Sequence, residues 1–220
     1  MKKILILLFS IVYIFAAQIG ILSYKNGMVK VKHKNTIIKK TLKIGDTIYK
    51  GDKISTYNSL ATITLNDKSI IKLAKYSTIR FGNKITQENG KVYYHITHRK
   101  NNILEVATAF TTIGVKGTIF IVDANKTKQV ALKKGLISLT APKGKYEIHS
   151  YKNIKDEFAD FKNNYSNEFD SYKKKMEKEF IEYKKSFELH QNMEVTFNGN
   201  KAYKKKLDKN EFKYFEENFK

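Results

Sequence analysis

The feature that most constrains the fold is an alternation of apolar and polar residues that runs from Tyr24 to Ser150. Glycine or Asn/Asp pairs interrupt it roughly every ten residues, which is typical of short strands joined by turns. Successive side chains of a strand point to opposite faces, so the alternation predicts strands with one buried face. Residues 61–73 continue it on both sides of Asn66-Asp67 and predict a hairpin. The pattern predicts an all-β domain over residues 24–150, either a sandwich, a barrel or a solenoid-like stack.

Residues 1–20 have the composition of a signal peptide. Two lysines precede an apolar run from Ile4 to Ala17, which is short for a membrane span. Cleavage after this run would release the chain, whereas an uncleaved segment from Ile4 to Leu22 would anchor it. We therefore predict a periplasmic or secreted protein, with a tether to the inner membrane as the alternative.

The charge of the chain is concentrated in the predicted β-domain. The net charge is +21, and residues 24–150 hold 24 basic and 7 acidic side chains. Lysine supplies 40 of the 42 cations, and lysines often alternate along a strand, as at Lys30, Lys32 and Lys34. Such alternation is typical of a solvated face, and the scarcity of arginine argues against nucleic acid as a partner. An anionic glycan or lipid remains as the ligand of an alternative function, in which this lysine-rich face binds a polyanion or the cell wall.

The pattern changes to helical spacing after Pro142. Apolar residues between Ile154 and Phe187 are three or four positions apart and form an eleven-residue repeat. This predicts a long amphipathic helix over residues 151–190 whose aromatic stripe packs on its own β-domain, on a second copy of the chain or on an envelope protein. The candidate partner-docking residues are Phe158, Phe161, Tyr165, Phe169, Tyr172, Phe180, Tyr183 and Phe187.

Residues 191–220 form a third predicted segment. The alternation returns on both sides of Asn198-Gly199-Asn200, which predicts a hairpin with an Asn-Gly turn. Asp208 or Asn210 is placed to cap a final short helix that ends near Phe219.

The order of the short motifs between residues 24 and 140 resembles the FecR domain family. Two Gly-Asp pairs, Gly45-Asp46 and Gly51-Asp52, lead to a threonine, and a late strand contains Lys116-Gly117-Thr118. We interpret the motif residues as determinants of the fold, because glycine and aspartate are the residues that tight turns require. These residues are Gly27, Gly45, Asp46, Gly51, Asp52, Thr56, Lys116, Gly117, Thr118 and Gly135.

The resemblance implies a solenoid-like β-stack and a role in binding or signalling in the cell envelope. Lys116 stands where the family motif has arginine, so a bidentate ion pair is lost there. The iron-uptake regulators of the family place a sigma-factor-binding segment in the cytoplasm before a membrane span. Because this chain starts with an export signal, we expect no direct contact with a sigma factor.

Residues that carry catalysis or bind metals are scarce in this sequence. It contains no cysteine, and His95 and His98 are three positions apart, which places them on opposite faces of a strand. Asp46, Asp52 and Asp67 belong to predicted turns rather than to a pair of carboxylates. We predict a non-enzymatic binding, signalling or scaffolding module without a cofactor or a metal.

Overall fold

The structure, a computed structural model, describes residues 17–97, 103–150, 180–208 and 210–219. None of the helices in these ranges is long and apolar enough to cross a bilayer. In chain order the elements are β1 (Gln18–Asn26), β2 (Val29–Lys32), β3 (Lys39–Thr41), β4 (Thr47–Tyr49), β5 (Lys53–Thr56), β6 (Leu60–Leu65), β7 (Ile70–Leu73), β8 (Thr78–Phe81), β9 (Ile85–Asn89), β10 (Lys91–His95), β11 (Leu104–Ala107), β12 (Thr112–Val115), β13 (Ile119–Asp123), β14 (Gln129–Lys134), β15 (Leu136–Thr140), β16 (Tyr146–Ser150), β17 (Phe180–Lys184), β18 (Ser186–His190), β19 (Met193–Asn198), β20 (Lys201–Lys206) and α1 (Asn210–Asn218).

The strands form two sheets, which confirms the all-β prediction. The eleven-stranded sheet has the order β17-β16-β20-β19-β14-β13-β10-β7-β6-β1-β4, and the nine-stranded sheet has the order β18-β15-β12-β11-β9-β8-β5-β2-β3. Neighbours are antiparallel except for two parallel pairs, β9 with β11 and β16 with β20.

The chain winds between the two sheets as it advances. Apart from β3 and β4, which form the first edge, the strands from β1 to β15 follow one another in sequence order along both sheets. Each sheet therefore grows strand by strand in the same direction. The architecture combines two of the three predicted alternatives, since it is a two-sheet sandwich built by solenoid-like winding.

The strands also define two ends of the stack. Gln18, where β1 begins, is opposite Tyr49. We call the end of the stack where Gln18 and Tyr49 lie the entry end. It holds the connections 33–38, 50–52, 66–69, 82–84 and 116–118. The far end holds the connections 42–46, 57–59, 74–77 and 124–128.

One apolar core lies between the sheets and extends from β1 to β20. The Tyr94 ring stacks on Phe120 with 4.8 Å between centroids, and the Tyr94 hydroxyl donates a hydrogen bond to the Gln87 Oε1 atom at 2.9 Å. Tyr146 begins β16, next to the edge strand β17. Burial raises the pKa of Tyr146 to about 12, and its hydroxyl donates a hydrogen bond to the Phe110 carbonyl at 2.7 Å. The buried polar atoms of these aromatic residues therefore have partners, as a close-packed core requires.

Both predicted hairpins are present in the structure. β6 pairs with β7 between Ala61 and Leu73, and β19 pairs with β20 so that Asn198 faces Lys201. The second hairpin is part of the eleven-stranded sheet, because β19 also pairs with β14.

The C-terminal helix α1 covers part of the outer face of the eleven-stranded sheet. The Asp208 carboxylate accepts a hydrogen bond from the Asn210 N–H at 2.9 Å at its start. Phe212 and Phe215 are buried in a small cluster with Ile121 and other residues of the sheet. This sheet therefore has apolar contacts on both faces, whereas α1 does not cover the nine-stranded sheet.

The prediction of a long helix is wrong for residues 180–190. Phe180–Lys184 is β17 and pairs with β16, while Ser186–His190 is β18 and pairs with β15. Phe187 and Leu189 alternate with exposed neighbours and enter the core, so a strand buries them while the sheet satisfies their backbone groups. Residues 151–179 lie outside the described residues, and with them Phe158, Phe161, Tyr165, Phe169 and Tyr172.

Candidate functional site

The two Gly-Asp pairs form similar turns at opposite ends of the stack. Gly45 has a φ of +91° and Gly51 a φ of +102°, values that a residue with a side chain rarely adopts. In each turn the aspartate carboxylate accepts a hydrogen bond from the backbone N–H three residues earlier, at 2.7 Å for Asp46 and 2.9 Å for Asp52. In both turns the side chain of the aspartate therefore closes the bend, as expected of a residue that shapes a turn.

The two aspartates differ in burial and in their second partner. Asp52 is 1% exposed, and its Oδ1 atom lies 2.8 Å from the His33 Nδ1 atom. Asp46 is only half-buried. Because a buried carboxylate without partners is costly, the contacts of Asp52 fix the relative positions of the β2–β3 connection and the β4–β5 turn.

We expect Asp52→Ala to lower the free energy of unfolding by about 2 kcal/mol, because it removes the buried carboxylate that contacts the Tyr49 N–H and the His33 ring. Asp46→Ala is the matched control and should cost only about 0.5 kcal/mol, since water can replace its carboxylate. Urea denaturation of both variants measures the difference. Equal losses would show that the burial of Asp52 adds nothing to the turn.

Thr56, which ends the second motif, ties two strands together. Its buried hydroxyl donates to the Ala74 carbonyl at 2.7 Å and accepts from the Ser77 N–H at 2.8 Å. The hydroxyl thus provides a partner for two backbone groups of the connection between β7 and β8.

The late motif lies where the chain changes sheets twice. A Cβ atom at Gly135 would lie 2.8 Å from the Thr118 Cγ2 atom and 3.0 Å from the Gly117 carbonyl oxygen, so the two crossings touch backbone to backbone. Lys116 is exposed beside them. Thr118 is buried, and its hydroxyl has no hydrogen-bond partner among the residues that the structure describes.

A shallow groove of about 350 Å³ opens next to this crossing on the outer face of the nine-stranded sheet. Gly114 on β12 and Ser138 on β15 are adjacent and form a floor of small residues. Ile103 and Leu136 form its apolar walls and are 58% and 45% exposed. The lining residues are Ile103, Gly114, Lys116, Gly117, Thr118, Leu136, Ile137, Ser138 and Glu188.

The lining of the groove holds one carboxylate, Glu188, and one cation, Lys116, and a second carboxylate lies beyond the lining on the same row of the sheet. The cross-strand register runs from Glu105 through Gly114 and Ser138 to Glu188, so one row of the sheet has a carboxylate at each end. The Lys84 Nζ atom lies 3.9 Å from a Glu105 oxygen. A ligand that fits this row has an apolar side chain for the walls and a cation for Glu188.

The sequence did not identify these residues as a group. The row is built by β11, β12, β15 and β18, of which β15 and β18 are distant in sequence from the first two, so only the sheet brings them together. The local signals are the motif Lys116-Gly117-Thr118, which lines the groove, and Gly114, since a glycine inside a strand indicates a close approach of another group.

The described residues of the predicted docking stripe do not form one surface. Phe187 is buried and its ring contacts Tyr146, whereas Tyr183 is 63% exposed on the edge strand β17. The side chains that a helix would align are therefore divided between the core and the solvent.

A buried polar cluster on β16 and β20 was also not predicted from the sequence. His149 is buried, its Nε2 atom lies 2.9 Å from the Glu147 Oε1 atom, and its ring stacks on Tyr203. Desolvation raises the pKa of Glu147, but the hydrogen bonds from Lys201 and His149 outweigh it and lower that pKa below its ordinary value. The parallel pairing of β16 with β20 creates this cluster. No group of three or more metal-binding side chains occurs among the described residues.

Residues 52–146 match the family described as FecR protein. The match begins at the second Gly-Asp pair and ends in β16, and it includes every residue of the groove except Glu188. No curated protein matches the chain.

Two crystal structures of a candidate anti-sigma factor from Parabacteroides distasonis are similar to this chain. The first has a TM-score of 0.51 at 14% identity and covers 76% of this chain and 65% of that one. The second has a TM-score of 0.48 at 15% identity and covers 71% of this chain and 60% of that one. This chain thus spans less than two thirds of the length of either, and at such identity the likeness concerns the fold alone.

Proposed function

The chain carries a FecR domain over residues 52–146, and from this premise we propose that it is a non-enzymatic signalling module of the cell envelope that binds a protein partner. The export signal predicted from Ile4 to Ala17 supports a location outside the cytoplasm. The winding of the sheets supports a rigid body, and α1 covers part of the outer face of the eleven-stranded sheet but not that of the nine-stranded sheet.

The observation that carries the proposal is the groove that the described residues leave open on the nine-stranded sheet. Leu136 and Ile103 expose apolar surface at its walls, while Gly114 and Ser138 leave room between them. Exposed apolar groups around a concave floor are the usual core of a protein interface.

The charges of the groove select the kind of partner. Glu188 lines the groove and Glu105 ends the same cross-strand row, so the groove favours a segment with a lysine or an arginine next to an apolar side chain. The partner therefore has a basic and apolar segment of polypeptide.

We expect a photo-crosslinking amino acid in place of Leu136 to capture one discrete envelope protein, and to do so at high salt as well as at low salt. Leu136→Asp should then lower the affinity for the captured protein at least tenfold, because it removes an apolar contact and adds a charge beside Glu188. Binding of the purified partner, measured calorimetrically, tests this expectation.

Tyr76, which is 61% exposed at the far end, supplies the control position. The same crosslinker there should not capture that protein, and Tyr76→Asp should leave its affinity unchanged. Capture from both positions, or full affinity of Leu136→Asp, would contradict the assignment of the groove as the binding site.

A further inference from the structure

The connection between β2 and β3 exposes two adjacent isoleucines at the entry end of the stack. Ile37 is 92% exposed and Ile38 is 72% exposed, so nearly their whole side chains are in contact with water. Lys34 and Lys39, both exposed, lie on either side of them. An apolar pair with cations on both sides is the composition of segments that enter the boundary between lipid headgroups and acyl chains.

A row of cations continues from this loop across the nine-stranded sheet. Lys39 is paired with Lys32, Lys32 with Lys53, and Lys53 with Arg80, so four positive side chains lie side by side on the outer face. Of these four side chains, Lys53 and Arg80 contact the Glu88 carboxylate. Desolvation raises the pKa of Glu88, but the hydrogen bonds from Lys53 and Arg80 outweigh it and hold that pKa below its ordinary value. Like charges on directly opposite residues destabilise a sheet, and an anionic surface would relieve this repulsion.

The position of these residues identifies the kind of anionic surface. The Lys50 N–H donates to the Ala17 carbonyl at 2.9 Å, and Gln18 faces Tyr49, so the chain enters β1 beside the β4–β5 turn. In the sequence, the apolar run from Ile4 to Ala17 directly precedes this point. The segment that the sequence predicts to be a signal peptide or an anchor thus precedes the strand that enters the stack at the end carrying the isoleucine pair.

We propose that the loop 33–38 and the row Lys39, Lys32, Lys53 and Arg80 form a membrane-contact surface that rests on an anionic bilayer. Ile37 and Ile38 enter the interface, and the lysines contact headgroup phosphates. A soluble polyanion would use the cations but would leave the isoleucine pair in water. The groove beside Leu136 is a separate site, so this surface is independent of the proposed protein binding.

The first test uses the absence of tryptophan from the chain. Ile37→Trp in the chain from Gln18 to Lys220, which retains every described strand, places a single indole in the loop. We expect a blue shift of its emission, and quenching by brominated acyl chains, on vesicles of phosphatidylcholine with about a third phosphatidylglycerol. Ile44→Trp is the matched control, because Ile44 is 61% exposed beside Lys43 at the far end, and should give neither change.

The second test separates the lipid from other polyanions. The double variant Lys32→Gln and Lys39→Gln should weaken vesicle binding about thirtyfold, since each lysine near an anionic membrane contributes about a fivefold factor. The control pair Lys75→Gln and Lys126→Gln removes the same charge at the far end and should stay within about twofold.

Each result decides the proposal. A shift at Ile37→Trp that is absent at Ile44→Trp, together with the selective loss from the first lysine pair, supports a membrane-contact surface. Binding of soluble dextran sulfate as tight as that of the vesicles, with no shift at either tryptophan, would replace the lipid by a polyanion. Equal shifts at both positions, or no vesicle binding at all, would overturn the proposal.

Discussion

Replacing Gly90 by alanine should lower the free energy of unfolding by about 3–4 kcal/mol. Gly90 has a φ of +90°, which costs a residue with a side chain about 1–2 kcal/mol. A Cβ atom there would also lie 2.2 Å from the Ser77 Oγ atom and 2.4 Å from the Ser77 Cα atom. Because the Cα atom belongs to the backbone, the connections on either side must separate, and such overpacking costs about 1–3 kcal/mol.

Gly45→Ala separates the two causes of this loss. Gly45 has a φ of +91°, nearly the same as Gly90, but nothing lies within 4 Å of the position that its Cβ atom would take. We expect this variant to lose only about 1 kcal/mol, which is the conformational part alone. Equilibrium denaturation of both variants measures the difference. If they lose the same amount, the close approach of Gly90 to Ser77 is not a determinant of stability.

Phe215→Ala should release the C-terminal helix at a cost of about 3 kcal/mol. Phe215 is 1% exposed, and its ring lies 5.6 Å from the Tyr93 ring on the eleven-stranded sheet. A nine-residue helix is not stable alone in water, so α1 depends on this packing. We expect the α1 amides to lose protection from hydrogen exchange, while the amides of β10 and β13 keep theirs.

The control for this variant is Lys213→Ala, which introduces the same residue on the exposed side of the same helix. Lys213 makes only an exposed ion pair with Glu217, at 3.8 Å, so its loss should change stability by less than about 0.5 kcal/mol. Loss of protection in Lys213→Ala, or its retention in Phe215→Ala, would show that the Phe215 ring does not hold the helix.

Much of the strand pattern could be predicted, because alternation is a local property. Lys30 and Lys32 alternate with the buried Val29 and Val31 in β2, as a half-buried strand requires. The turn glycines with positive φ, such as Gly45, could be identified for the same reason. These features depend only on residues a few positions apart.

Residues 180–190 show where the local pattern fails. Their apolar residues fit a helical spacing when read with the preceding segment, and they fit an alternating strand when read alone from Ser186 to His190. The partner decides between the two, because β15 offers an edge whose hydrogen bonds and core position favour the strand. A single sequence contains no sign of that free edge.

The candidate site was beyond prediction for a similar reason. Gly114, Ser138 and Glu188 are far apart in the chain, and each is unremarkable in its own strand. Their pairing in register produces the floor and the acidic side of the groove. In the same way, Lys39 and Arg80 become parts of one cation row only because β2 and β5 lie between them.

The sequence by itself determined the class of structure, the turns and the excess of positive charge, since alternation, glycine conformations and side-chain charge are set residue by residue. Tertiary structure alone decided the order of strands in the two sheets, the strands at residues 180–190 and the surfaces at the groove and the entry end. The physical reason is that these depend on which distant strands exchange hydrogen bonds. That exchange is governed by the burial of a shared core, to which each strand contributes only a few side chains.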